Sequence, residues 1–397
     1  MHVIIFLCRV ISNEQLGKIF TYGEAKILLD LFSGAGGLSC GFELANFKID
    51  LAIELDNNHY KSYKFNHPDT LSLNEDITKL NCNEFEETYI RGKEVEGIIG
   101  GPPCTGFSSV GNRRPNDPRN MLVFFFIKWV EYFKPLFFVM ENVKGILTMG
   151  RGQVVEKIKK MYEEIGYKCK LQTLLAADYG VPQLRERVFF IGAKNNSIQQ
   201  INIKKTHKED SNQKTSSDIN PLPSFLKVGD ALSDILDLTP YRENNGNDLG
   251  IEYNKPPQTS YQAYLRKHSD KLYEHVAPNH SKKVAARISH IEQGKNHASL
   301  PKELQLKGGY SNIYGRLHLN KPADTITGNC GCVSAPGRFI HPTQNRAISV
   351  REAARLQSFP DNYRFFGSMR DRYKQIGNAV PPLLANAIAK AIRDVVN

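Results

Sequence analysis

From residue 26 to residue 193, short apolar runs alternate with amphipathic stretches. Ile27-Leu28-Leu29-Asp30-Leu31-Phe32 predicts a buried strand that ends at a glycine loop, and Ile49–Glu54 predicts a second strand. Val95–Ile99, Leu136–Met140 and Val188–Ile191 predict three more, with helical patterns between them such as Met121–Tyr132. Strands alternating with helices imply βαβ units and a parallel sheet. Ligands of such sheets bind at the carboxyl ends of the strands. The pattern stops at Lys194, and 194–220 are rich in Asn, Gln, Ser and Lys, which reads as a polar linker or insertion. Residues 221–345 scatter basic and aromatic groups without a clear period and predict short strands and loops. Regularity returns with a short helix over Val350–Leu356, stopped by Phe359-Pro360. A final helix starts at Pro381-Pro382 and puts Leu384, Ala387, Ile388, Ala391, Ile392 and Val395 on one face.

Composition narrows the function classes. Hydrophobic residues make up 41% of the 397, enough for a large core. The net charge of +11 favours a polyanionic partner, nucleic acid first. Seven irregularly spaced cysteines argue against a disulfide framework, and the absence of paired CxxC units argues against structural zinc; no metal is expected. The apolar run Val3–Leu7 is too short to span a membrane and lacks the flanks of a signal peptide, so residues 1–25 read as a leader outside the core and the expected location is the cytoplasm.

The chemistry sits at the predicted strand ends. Asp30-Leu31-Phe32-Ser33-Gly34-Ala35-Gly36-Gly37 turns from strand to helix without the Gly-Lys-Ser/Thr of a phosphate-cradling loop. Glu54 ends the next strand, where a carboxylate can accept from ribose hydroxyls. Asp76 could accept from an exocyclic amine. The ordered set points to a nucleoside-containing cofactor. Gly100-Gly101-Pro102-Pro103-Cys104 follows another strand, and its two prolines hold the chain rigidly before the thiol. Such a turn suits a nucleophile, although small-residue turns also carry inert cysteines. Glu141-Asn142-Val143 ends the following strand, where Glu141 could hold a proton near neutral pH or simply cap a helix. In Gln183-Leu184-Arg185-Glu186-Arg187 the two arginines alternate, so on an extended backbone both side chains point the same way.

In order and spacing these segments, with Phe107-Ser108, Arg351–Pro360 and Gln375–Pro381, resemble the DNA (cytosine-5)-methyltransferase family over more than half of the chain. The resemblance implies an α/β fold: a Rossmann-like, doubly wound sheet of the S-adenosylmethionine-dependent methyltransferase type, with a second, smaller target-recognition domain. Its expected boundaries are a catalytic domain over 26–193, a linker over 194–220, a recognition domain over 221–345 and a return to the catalytic domain over 346–397. The resemblance also implies S-adenosylmethionine held by Phe32, Ser33, Gly34, Ala35, Gly37, Glu54, Leu55, Asp76, Ile77, Gly101, Pro103, Leu122, Asn378 and Val380. Cys104 would add to carbon 6 of a flipped cytosine, Glu141 would contact ring nitrogen 3 and the amine, Arg185 the ring carbonyl, and Arg187 would support the site. Ser108, Arg113, Arg114 and Arg119 fall in a loop expected to close over double-stranded DNA, with Arg316 and the Thr325-Ile326 pair as further DNA contacts. Pairing with a restriction endonuclease would fit a chain of this size. The rival readings are a tRNA cytosine methyltransferase with the same motifs, a catalytically silent DNA-binding regulator, and a nicotinamide-dependent oxidoreductase.

Overall fold

The structure is a computed structural model that describes residues 26–103, 122–194, 196–209, 221–241, 248–306 and 310–396. Cys104, Phe107, Ser108, Arg113, Arg114 and Arg119 lie outside the described residues, as do the leader and most of the polar linker.

Among the described residues up to 194, eight strands run in chain order as β1 (Ile27–Leu31), β2 (Leu51–Ile53), β3 (Leu71–Leu73), β4 (Val95–Gly100), β5 (Phe137–Val143), β6 (Lys168–Leu175), β7 (Gln183–Leu184) and β8 (Glu186–Ala193). Seven of them form one sheet in the order β3-β2-β1-β4-β5-β8-β6. The first five in that order pair parallel, and β8 lies antiparallel between β5 and β6. The strand order reverses between β1 and β4, which opens a crevice at their carboxyl ends. β1 is buried along its whole length because helices cover both faces of the sheet. Leu29, Leu31, Ile98 and Phe138 pack with Trp129 on one face. Leu28, Ile99, Phe137 and Ile191 pack with Leu384 and Ile388 on the other.

The C-terminal helix, Pro382–Val396, lies on the second face against the helix Gly37–Leu44. A Cβ at Gly41 would come within 2.3 Å of the Ala385 methyl, so only glycine allows this approach. The chain therefore ends beside the strand with which the core begins.

The region after residue 221 differs from its expectation of strands and loops. Its described residues hold the helices Val228–Leu232, Ser260–Arg266 and Lys282–Ser289, and strands of only two or three residues. Helices this short carry too few turns for an apolar period to emerge. Side-chain caps start two of them: the Thr259 side chain accepts from the Gln262 N–H, and that of Ser281 from the Val284 N–H. Among the described residues, the region shares its core between two clusters. Val228, Leu232, Tyr261, Leu265 and Val276 pack with Ala353, Phe359 and Tyr373 of the C-terminal return. A separate cluster gathers Ile288, Ile291, Leu300, Ile313, Val333, Ile340 and Ala347.

The helix Val350–Leu356 is the hub between these parts, and all seven of its residues are buried. Ser349 and Glu352 cap it reciprocally. Arg355 donates to Asp234 and to Asp361, each at 2.6 Å, and Arg351 donates to Glu274 at 2.9 Å. Among the described residues, no helix is long and apolar enough to cross a membrane, and no cluster of His, Cys, Asp and Glu could hold a metal ion.

Candidate active site

A cavity of about 700 Å³ opens at the carboxyl ends of β1 to β5. Phe32, Ser33, Gly34, Ala35 and Gly37 line it from the loop after β1, and Glu54 and Leu55 from the loop after β2. Asp76 and Ile77 follow β3, Gly101 and Pro103 follow β4, and Leu122, Asn378 and Val380 complete the wall. All the residues expected to hold the cofactor thus meet around one space.

The loop after β1 is unusually constrained. Phe32, Gly34 and Gly36 all have left-handed backbones, with φ of 57°, 58° and 93°. Left-handed backbone at Phe32, a residue with a Cβ, stores strain of about 1–3 kcal/mol. At Gly36 a Cβ would fall 2.3 Å from His67 Nε2, and at Gly37 it would fall 2.4 Å from the Val380 carbonyl oxygen. Glu54 braces the loop, accepting from the Gly34 N–H at 2.8 Å and the Asp56 N–H at 2.7 Å. Each of its oxygens keeps a lone pair for a ligand hydroxyl. Asp76 commits one oxygen to Thr78, accepting from both its N–H and its hydroxyl. Leu55 keeps two thirds of its surface exposed at the cavity wall, an apolar plate suited to a planar base.

Three buried polar atoms on residues lining the cavity have no hydrogen-bond partner: Asp30 Oδ1, Ser33 Oγ and His59 Nε2. Burying polar atoms without partners is costly, and a ligand rich in hydroxyl, amine and cationic groups would supply them. The lining therefore fits S-adenosylmethionine. Asp30 is named from sequence only as the start of the glycine-loop segment, not as a cofactor residue, and His59 is not named at all. Asp30 hides within an apolar strand, and His59 sits in a polar helix without a motif.

Beside this space lies the second part of the site. Glu141, at the end of β5, is buried, and Arg187 Nε stands 3.0 Å from its Oε1. Burial pushes the Glu141 carboxyl above the usual carboxylate range, against the pull of Arg187. Gly101 lies directly over it, and a Cβ there would come 3.1 Å from Glu141 Oε2. Asn142 Nδ2 donates to the Pro102 carbonyl at 3.4 Å, which ties the proline turn to β5. The turn leading to Cys104 is thereby fixed beside the acid. Asn142 was visible in the sequence only as part of a tripeptide.

The two arginines part company. Arg187 lines the cavity with Glu141. Arg185, expected at the ring carbonyl, is instead fully buried and donates to the carbonyls of Ile326, Gly377 and Ala379 at 2.9–3.0 Å. It falls between β7 and β8, where its N–H bonds back to the Gln183 carbonyl, so simple alternation does not apply. The residue expected to support the site is the one that faces it.

Arg316 also differs from its expected place on DNA. It is buried and spends its guanidinium on the carbonyls of Ile288, Ile291, His341 and Gln344 and on Asn345. No donor is left for a phosphate. Ile326 is buried too and acts through its backbone, its N–H donating to Gln183 Oε1 and its carbonyl accepting from Arg185. Thr325 is half-buried, and its hydroxyl donates to the Leu184 carbonyl.

The profile of the C-5 cytosine-specific DNA methylases matches residues 27–394. The chain belongs to this family. The methylase is thus an enzyme, a DNA (cytosine-5)-methyltransferase of α/β fold. It is similar to the type II methyltransferase M.DdeI of Desulfomicrobium norvegicum, with 38% identity covering 92% of this chain and 88% of the relative. The type II methyltransferase M1.HphI of Haemophilus parahaemolyticus is 36% identical, covering 95% and 89%. A solved E. coli structure described as a prophage-encoded DNA modification methyltransferase superposes with a TM-score of 0.74 at 28% identity, covering 94% of the methylase and all of that chain.

Proposed function

We propose that this methylase transfers a methyl group from S-adenosylmethionine to carbon 5 of a cytosine within a specific duplex DNA sequence, through a covalent bond from Cys104 to carbon 6 of a flipped base. The observation that carries the reading is the meeting of Glu141, Arg187 and the proline turn at the edge of the glycine-loop cavity. Cytosine carbon 5 is a poor nucleophile. Addition of a thiolate to carbon 6 turns the ring into an enamine, with the electron pair available at carbon 5. Protonated or hydrogen-bonded ring nitrogen 3 favours that addition, and a carboxyl pushed up by burial holds a proton for it near neutral pH. Arg187 pairs with Glu141 at the cavity wall, which supports assigning the contact with the ring carbonyl to it rather than to Arg185. Bound S-adenosylmethionine supplies the electrophilic methyl. A base then removes the carbon 5 proton, and elimination restores the double bond and frees the Cys104 thiolate. Glu54 would accept from the ribose hydroxyls, and Asp76 from the adenine amine. A base inside a duplex is out of reach, so flipping is required. Ser108, Arg113, Arg114, Arg119 and Thr325 are proposed to line the DNA path.

The type II names of the relatives support pairing with a restriction endonuclease, and action on chromosomal DNA would place the enzyme in the cytoplasm. Bisulfite sequencing of DNA from cells expressing the protein tests the activity and reads the site. Protected cytosines in one sequence context are expected with the intact chain and none with Cys104→Ser. Transfer of labelled methyl to tRNA and not to duplex DNA would overturn the substrate. A Cys104→Ser protein with normal activity would overturn the mechanism.

A further inference from the structure

A second cavity, of about 480 Å³, opens where the C-terminal helix Pro382–Val396, the helix Ser260–Arg266 and residues 202–207 meet. It shares no lining residue with the cofactor cavity, and the chemistry above does not use it. Its volume falls within the range of about 300–1,000 Å³ that small-molecule sites occupy, and such sites favour junctions between packed parts of a chain.

Tyr179, Tyr261, Tyr264, Leu226 and Leu383 give this cavity an aromatic and aliphatic interior. Tyr261 donates its hydroxyl proton to the Arg355 carbonyl at 2.6 Å, and Tyr264 to the Ser358 carbonyl at 3.4 Å, so both rings are held in place. His207 closes on the turn after Tyr179, where a Cβ on Gly180 would fall 2.9 Å from its Cε1. Two polar groups of the lining residues have no partner. Tyr179 is only 5% exposed, and among the described residues its hydroxyl meets neither a donor nor an acceptor. Asn386 Oδ1 is buried and accepts from nothing.

The rim is cationic. Lys204 and Lys390 are exposed there, and among the described residues neither has a carboxylate within ion-pair distance. Asp394, one helical turn beyond Lys390, also lines the rim, so the three side chains leave one net positive charge. Burial pushes His207 below its usual value, and it adds no charge at pH 7. A ligand that answers all of these groups has a flat ring to lie among the tyrosines, N–H and acceptor groups on that ring for Asn386 Oδ1 and the Tyr179 hydroxyl, and an anionic group for the lysines. A nucleoside monophosphate with an amine-bearing base has each of them. We propose that this cavity is a second ligand site that binds such a nucleotide, with the base among Tyr179, Tyr261 and Tyr264 and the phosphate on Lys204 and Lys390.

Calorimetry of AMP binding to the full chain tests this, with S-adenosylhomocysteine at saturation to occupy the first cavity. One saturable site is expected, and adenosine, which lacks the phosphate, should bind about tenfold more weakly. Reversing both exposed charges, Lys204→Glu with Lys390→Glu, should weaken AMP by about tenfold and leave adenosine unchanged. Tyr179→Phe keeps the ring and loses the hydroxyl, and should weaken both ligands about fivefold, the worth of one neutral hydrogen bond. Ala387→Trp, on the cavity wall, should abolish binding while methyl transfer continues. The exposed lysines keep the test decisive even where the tryptophan disturbs its helix. No saturable binding at millimolar AMP, equal affinity for AMP and adenosine, or AMP binding that survives the lysine reversals unchanged would overturn the proposal.

Discussion

Asp30 gives a quantitative test of how dry the floor of the cavity is. It is fully buried and accepts from Ser39 Oγ at 2.5 Å, while its other oxygen has no partner. Burial raises its pKa from 3.8 to about 8, with Glu54 and Glu43 adding to the rise and the Ser39 bond opposing it. Above pH 3.8 the unfolded chain releases this proton and the folded chain keeps it. Stability contributed by the group is therefore full below pH 3.8 and is lost progressively as pH rises to about 8. The loss is at most about 1.4 kcal/mol per pH unit, or roughly 6 kcal/mol over the whole interval. Relaxation around the ionised carboxylate leaves a few kcal/mol of this. Asp30→Asn keeps the shape and an acceptor for Ser39 but cannot titrate. In urea unfolding at pH 5.5, 6.5, 7.5 and 8.5, the variant should gain on wild type by about 2–3 kcal/mol from the lowest pH to the highest, levelling above pH 8. Parallel stability curves for the two proteins would show that Asp30 ionises as freely in the fold as outside it, and the reasoning would fail.

Glu141→Gln removes a transferable proton while keeping the pairing with Arg187, and should lower methyl transfer about 10²–10⁴-fold in a single-turnover assay with labelled donor. Arg187→Lys loses the planar fork that meets Glu141 and should cut turnover with little change in unfolding midpoint, whereas Arg185→Leu strips three carbonyls of their donor and should destabilise the fold first. Arg355→Met leaves the buried Asp361 without its ion-pair partner and Asp234 with Arg266 alone, and should cost about 3–5 kcal/mol of stability by chemical denaturation. Arg316→Ala should leave the salt dependence of DNA binding unchanged, because a buried guanidinium releases no counterions, while lowering the thermal midpoint.

The parts of the site that were readable are those made by adjacent residues. The run from Asp30 to Gly37 announces a strand, a tight turn and a helix, and Glu54 falls where the next strand must end. These features are local and follow from apolar runs and glycines. Arg185 and Arg187 were misallocated because alternation holds only within a continuous strand, and a kink separates β7 from β8. Arg316 looked like a phosphate contact because nothing in its neighbourhood reveals carbonyls 25 or more residues away. The unpartnered His59 nitrogen and the cavity between Tyr179, Tyr264 and Lys390 depend on segments that meet only after folding, and no spacing encodes them.

The hub around the helix Val350–Leu356 bears on whether residues 221–345 could be exchanged between relatives. Arg355 holds Asp234, Arg351 holds Glu274, and Gln183 holds both Gln357 and Ile326. A transplant cut at residue 221 would sever these buried ties and leave charges without partners. The cluster of Ile288, Ile291, Leu300, Ile313 and Val333 has an apolar interior of its own. A chimera joined just before the helix Lys282–Ser289 would keep Arg316 with its acceptors at His341, Gln344 and Asn345, yet it would still have to restore the tie of Ile326 to Gln183 and the packing of Leu317, Ala323 and Phe339 with the hub. Exchange of this region therefore has to carry or rebuild its contacts with the hub on both sides of the Lys282–Ser289 helix.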